Sequence, residues 1–244
     1  IFFRVIAVKM RAIHIFAAFL AAAHALSYGA PKVRVQVFEE ALCPGCVGYF
    51  TVNPRGVWAA YSQLHDIMDL SVFMWGNARG DAAAPTCQHG PVECYGNAVW
   101  ACAHHIYAPS QALPFLECFD AALVKTFPKG LPMGTVNQSF ATAVYKSCAT
   151  RAGLDWDKIE VCRTSDAGVG YLRQDRDATP FHRAVPFIIV NAESYANSTS
   201  GPPRDLVSAI CKQYTGPLPK ACLSAMDSVP SPSNMAYLDP PTCK

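Results

Sequence analysis

Valine alternates with polar residues through Val33–Glu39 (Val-Arg-Val-Gln-Val-Phe-Glu), a period of two that predicts a half-buried strand. Cys43-Pro44-Gly45-Cys46 follows directly, and Val47–Met68 then carries a helical pattern interrupted or kinked around Pro54 and Gly56. Asp69–Trp75 (Asp-Leu-Ser-Val-Phe-Met-Trp) reads as a second, buried strand. The order is that of a βαβ unit, and it puts Cys43 where the helix N-terminus begins. From about residue 77 to 180 the character changes. Apolar residues recur at helical spacing through Ala98–Tyr107, Leu113–Phe127 and Val136–Cys148, with six cysteines interspersed, which predicts a helical, disulfide-stapled insertion. Val185–Asn191 reads as a proline followed by a buried strand, and Asp205–Tyr214 as an amphipathic helix covering the sheet. The proline-rich tail from Leu223 has few apolar anchors and is expected to be loose.

The chain has 244 residues, 51% hydrophobic and 16% charged, enough for a sizeable core and one domain, at most two. A formal charge of +2 excludes a field that would argue for nucleic acid or an anionic membrane surface. Eleven cysteines change the picture more. An oxidising compartment would convert most of them to bridges, and the odd number leaves at least one thiol free, intermolecular or redox-active.

Met10-Arg11, the apolar run Ile15–Ala23 and the small-x-small triplet Ala23-His24-Ala25 stand in the order of a secretory signal peptide. The run is short for a span of about 20 residues, although an uncleaved anchor is the competing reading. Residues 1–9 precede Met10 and read as translated upstream sequence. The organisation expected is therefore upstream residues and signal peptide over 1–25, one domain over 26–222, and a tail over 223–244. No membrane association is expected after cleavage. Asn137-Gln138-Ser139 and Asn197-Ser198-Thr199 are acceptor sequons, making Asn137 and Asn197 candidate glycosylation sites in a secreted chain.

Chemistry is expected first at Cys43 and Cys46. A thiolate is the nucleophile of disulfide exchange, and the unpaired N–H groups of a helix N-terminus stabilise it. A second cysteine one turn on can attack the resulting mixed disulfide and release the product. A plain structural bridge or two zinc ligands are the alternatives, and the placement between strand and helix favours the redox reading. Val185-Pro186, just before a strand, supports it: a cis-proline there faces the dithiol in thioredoxin-like folds and presents substrate backbone. Cys87-Gln88-His89-Gly90-Pro91-Val92-Glu93-Cys94-Tyr95-Gly96-Asn97-Ala98-Val99-Trp100-Ala101-Cys102 adds three cysteines, a histidine and a glutamate. The gaps between those cysteines are too wide for the usual paired zinc ligands, so no metal is expected.

That segment fits the signature Cys-Gln-His-Gly-x-x-Glu-Cys-x-x-Asn-x-x-x-x-Cys of the gamma-interferon-inducible lysosomal thiol reductase family at every fixed position. The resemblance extends over nearly the whole mature chain, through Glu40–Cys43, Trp75-Gly76-Asn77, Val185-Pro186-Phe187 and the order of the later cysteines. It implies an α/β, thioredoxin-like fold and no bound cofactor. It also implies reduction of protein disulfides at acidic pH on the endosomal–lysosomal route or outside the cell. Cys43 would attack, Cys46 would resolve, and a small thiol would restore the dithiol.

Two residues depart from the family. Pro44-Gly45 stands where Gly-Gly or Gly-Ala is frequent, a pair that tunes thiol pKa and potential, and Ala192 follows Asn191 where glycine is frequent. A secretory oxidase or isomerase using the same dithiol, and a non-catalytic disulfide-rich module, are the competing functions. At the ordinary cysteine pKa of about 8.5, roughly one thiol in several thousand is ionised at pH 5, so Cys43 needs a markedly lowered pKa. Glu40 reads equally as a solvated loop carboxylate or a proton-transfer group. His89 and Glu93, far along the chain from the dithiol, read as orienting or structural. Nine cysteines outside the dithiol leave four bridges and one remainder, and Cys243 in the tail is a candidate for that remainder or for an intermolecular link.

Overall fold

The computed structural model describes residues 29–128, 136–194, 202–227 and 243. The signal-peptide region, the Asn197 sequon and most of the tail lie outside the described residues.

Strand β1 (Val33–Phe38) buries Val33, Val35 and Val37 on one face and leaves Arg34 exposed, as its alternation requires. It pairs in parallel with β2 (Met68–Phe73), Val33 opposite Met68 and Phe38 opposite Phe73. A parallel pair needs a crossover. Here it contains α1 (Pro44–Val47), a π-helical turn over Gly48–Val52 and α2 (Val57–Leu64). The single kinked helix expected over 47–68 is thus broken into separate pieces. Pro54 cannot donate to a helical ladder, and the extended backbone of Gly56 (φ −83°, ψ −157°) restarts the helix at Val57.

After β2 comes a two-stranded ribbon, β3 (Arg79–Asp81) with β4 (Ala84–Thr86), which the sequence reading missed because three-residue strands carry no usable period. Five helices follow: α3 (Pro91–Ile106), α4 (Pro109–Thr126), α5 (Gln138–Ala152), α6 (Trp156–Arg163) and α7 (Asp166–Ala178). Side-chain oxygens of Asn137, Asp155 and Ser165 accept from the backbone N–H groups of Phe140, Lys158 and Gly168 and begin the last three. Cys102–Cys162 fastens α3 to α6, and Cys118–Cys148 fastens α4 to α5.

The chain then returns to the sheet. Strand β5 (Phe187–Val190) pairs antiparallel with the other edge of β1 and with β6 (Glu193–Ser194), giving the order β2-β1-β5-β6. The strand starts at Phe187, after Pro186, which has no N–H for the ladder. Helix α8 (Leu206–Gln213), N-capped by Asp205, packs Leu206 and Ile210 into the core against β1 and β5. Arg55, in the crossover, reaches Asp205 at 2.7 Å and ties the cap of α8 to the crossover segment that packs beside it. Helix α9 (Lys220–Asp227) continues past Leu223, where the tail was expected to loosen. It is anchored by buried Cys222 and Ala225 and by the Cys211–Cys222 bridge to α8. Among the described residues, no helix is long and apolar enough to cross a membrane.

Candidate active site

Cys43 is the N-cap of α1, with φ −71° and ψ 117°, and Pro44 holds the first helical position, where a missing N–H costs nothing. The cap geometry turns the backbone N–H of Cys46 toward Cys43 Sγ at 3.4 Å. That N–H and the helix end favour negative charge on Cys43 sulfur. Cys46, one turn on, is a buried free thiol. Packed against it, the Val185–Pro186 peptide is cis, and Cys43 Sγ lies 4.0 Å from the Val185 carbonyl oxygen. All four residues expected at the centre, Cys43, Cys46, Val185 and Pro186, therefore meet, although 142 residues separate Cys43 from Val185. Cys43 is not paired with Cys46 in this structure. Its disulfide partner is Cys243, 200 residues away, so the unpaired cysteine is Cys46 and not the tail residue.

The signature segment builds the floor of this site. The Cys87–Cys94 bridge closes the loop that enters α3. Glu93, in the first turn of α3, accepts the backbone N–H of His89 at 2.8 Å and pairs with His89 Nδ1 at 2.5 Å. Asn97, one turn further, accepts the backbone N–H of Ala41 at 2.9 Å and so holds the loop that delivers Cys43. Gly96 permits that approach, since a Cβ there would lie 2.6 Å from Ala41 Cβ and 2.7 Å from the Tyr145 hydroxyl. Gly96→Ala is expected to lower stability by about 1–3 kcal/mol through overpacking, a drop of several degrees in Tm. An unchanged melting curve would show that α3 and the loop can separate without loss.

Position along the chain misled the reading of Glu40, His89 and Glu93. They sit together, with ligand-type atoms within 4.8 Å of one another, packed beneath the dithiol. Glu40 is not a solvated loop carboxylate: Glu39 and Glu40 are each 1% exposed, and their carboxyl oxygens have no hydrogen-bond partner among the described residues. Burial pushes the Glu39 pKa up to about 8. Burial, then the Glu93 charge, push Glu40 up to about 9, while the nearby backbone N–H groups of Asn77 and Ala78 pull the other way without hydrogen-bonding geometry. Both are neutral acids at acidic and neutral pH. The Cys46 thiol is itself held well above its usual range, by burial first and by Glu39 next. Gly76, with φ +43°, lets β2 run past this cluster, since a Cβ there would meet Glu40 Cγ at 2.4 Å.

Sequence reasoning missed Glu39, whose place directly after a strand gave no sign of burial on both sides. Asn77 was noticed only for its resemblance to the family. Its amide nitrogen donates to Gln88 Oε1 at 2.8 Å and to the Cys243 carbonyl oxygen at 3.0 Å, and its oxygen lies 3.3 Å from His182 Nε2. A second group, His104, His105 and Asp175, also has ligand-type spacing. Its His104 Nε2 is already engaged with Asp175 at 3.1 Å. Asn137 is exposed and caps α5 through its side-chain oxygen, which leaves the amide nitrogen outward.

Residues 34–130 match the family model described as gamma interferon inducible lysosomal thiol reductase (GILT). The chain is 32% identical over 209 residues to a gamma-interferon-responsive lysosomal thiol protein of Arabidopsis thaliana, covering 82% of this chain and 80% of that one. It is 28% identical over 207 residues to the gamma-interferon-inducible lysosomal thiol reductase of Mus musculus, covering 81% of this chain and 75% of that protein. Among solved structures, the reduced form of a disulfide bond oxidoreductase (DsbG) from Mycobacterium tuberculosis superposes with a TM-score of 0.52 at 24% identity, covering 81% of this chain and 86% of that one. A putative protein disulfide isomerase from Nitrosomonas europaea gives 0.51 at 12% identity, covering 75% and 97%. These likenesses show a thioredoxin-like fold.

Proposed function

The chain belongs to the gamma-interferon-inducible lysosomal thiol reductase family, and on that premise we propose that it reduces protein disulfides through Cys43 and Cys46 in an acidic endosomal or lysosomal compartment. The observation that carries this reading is the placement of Cys43 sulfur at a helix N-cap, under the Cys46 N–H and facing Val185-Pro186. The Cys43 thiolate attacks one sulfur of a substrate disulfide, forming a mixed disulfide and expelling the other sulfur as a thiolate that takes a proton. Cys46, once deprotonated, attacks Cys43 Sγ. The Cys43–Cys46 disulfide forms, the second substrate thiol leaves, and two electrons have passed to the substrate. A small thiol then returns the enzyme to the dithiol by the same exchange.

The buried carboxyls favour resolution at acidic and neutral pH alike. Ionised Glu39 or Glu40 would oppose negative charge on Cys46 during resolution, and below about pH 8 both carry their protons. The disulfides that involve ten of the eleven cysteines support folding in an oxidising compartment, the secretory route, where Asn137 and Asn197 become acceptors for glycans.

The test is reduction of a denatured, disulfide-bonded protein by the purified chain at pH 5 and pH 7, beside Cys43→Ser. Turnover at pH 5 that falls at least about 1,000-fold in the variant is the expected result. No turnover at pH 5 from a folded chain would remove the lysosomal reading, and an oxidising potential would then favour the secretory oxidase or isomerase.

A further inference from the structure

The bond between Cys43 and Cys243 uses the attacking sulfur of the proposed reaction, and three further contacts distinguish it from an ordinary staple. The backbone N–H of Cys243 donates to the Val185 carbonyl at 2.8 Å, and the Val185 N–H donates to the Cys243 carbonyl at 2.9 Å, an antiparallel bridge. The same Cys243 carbonyl accepts Asn77 Nδ2 at 3.0 Å, so both of its lone pairs are used. Asn77 is oriented for this by Gln88 and His182, one on each side of its amide. Cys243 is 8% exposed and closes a small buried cluster with Cys43, Cys46 and Val185. A cysteine in extended backbone, disulfide-linked to the attacking sulfur while the resolving thiol stays free, is the arrangement a substrate would have after the first step.

We infer that Cys243 is a tethered pseudosubstrate of the dithiol, and that the side chain of Asn77 extends the expected Val185-Pro186 substrate site by holding the carbonyl of the target cysteine. The inference rests on the proposed reductase reading. The exchange balances without a further oxidant. In the Cys43–Cys46 form left by turnover, the Cys243 thiolate attacks Cys43 Sγ, the Cys43–Cys243 bond forms, the Cys43–Cys46 bond breaks, and the electron pair and a proton end on Cys46. The reverse attack by Cys46 frees Cys243, and a small thiol reduces either disulfide. The tether shields the oxidised site until reductant is present.

The tether is tested on the full chain without reading turnover, so its failure is separable from that of the reductase reading. The reduced protein is mixed with one equivalent of a denatured disulfide-bonded protein, quenched with acid, alkylated and digested without reduction for mass spectrometry. The expected product links the Cys43 and Cys243 peptides and carries the label on Cys46. Linkage of Cys43 to Cys46 alone, with Cys243 labelled, would overturn it. The subsite is tested by Asn77→Ala in a Cys243→Ser background. KM for the denatured protein is expected to rise about tenfold with kcat within twofold, while a small-molecule disulfide is reduced as before. Equal losses on both substrates would make Asn77 merely structural and overturn the subsite.

Discussion

A chain carrying both Cys46→Ser and Cys243→Ser is expected to accumulate a covalent enzyme–substrate disulfide and to lose essentially all turnover. Cys43 keeps its place at the N-cap, because neither substitution touches the cap geometry, so the first attack proceeds. Nothing in the double variant can then reach Cys43 Sγ from within the chain, since the remaining cysteines are in bridges. With Cys46→Ser alone, Cys243 competes for the same sulfur and the trapped complex is smaller in amount. Non-reducing electrophoresis with a denatured disulfide-bonded substrate reads both outcomes. Absence of a covalent species in the double variant, with the fold intact, would mean that Cys43 is not the attacking group.

Stability is expected to rise toward acid, the reverse of what paired surface carboxylates produce. Glu39 has an ordinary pKa of 4.5 when unfolded and about 8 when folded. Between those values the folded chain holds a proton that the unfolded chain has released. Its contribution is therefore complete below about pH 4.5 and is lost as pH rises to about 8, at about 1.4 kcal/mol per pH unit. Glu40, raised to about 9, and Asp120, raised by burial, act with the same sign. His105 opposes them at low pH, because burial holds its pKa down and the unfolded chain takes its proton first. Urea midpoints at pH 5, 6 and 7.5 are expected to fall steadily, and Glu39→Gln, neutral at every pH, should flatten the profile by about one carboxyl's share. A profile that rises between pH 5 and 7.5 would show that these carboxyls are hydrated or paired in solution.

The two expectations describe one design. This disulfide oxidoreductase surrounds the free thiol of Cys46 with acids that burial keeps neutral. Ionising them both weakens the fold and raises the cost of a thiolate on Cys46. The segment Cys87–Cys102 joins them physically. Its Glu93 pairs with His89 and lies beside Glu40, and its Asn97 holds the loop in front of Cys43.

Features that depend on neighbours a few residues apart are legible in the linear order of residues. Alternating valines gave β1, a cysteine followed by proline gave the cap of α1, and Asp205 gave the start of α8. The motif from Cys87 to Cys102 identified the family because its residues repeat at fixed local spacing. What only the tertiary structure decided depends on which faces meet. Glu39 and Glu40 look like ordinary polar residues after a strand until α3 and α4 close over them. Cys243 follows a proline-rich stretch that pattern alone marks as loose, yet it reaches Cys43 Sγ, 200 residues away. Periodicity records the side of an element that is apolar, not the partner that covers it. A disulfide is chosen by the distance between sulfurs in the folded chain, which no local pattern encodes.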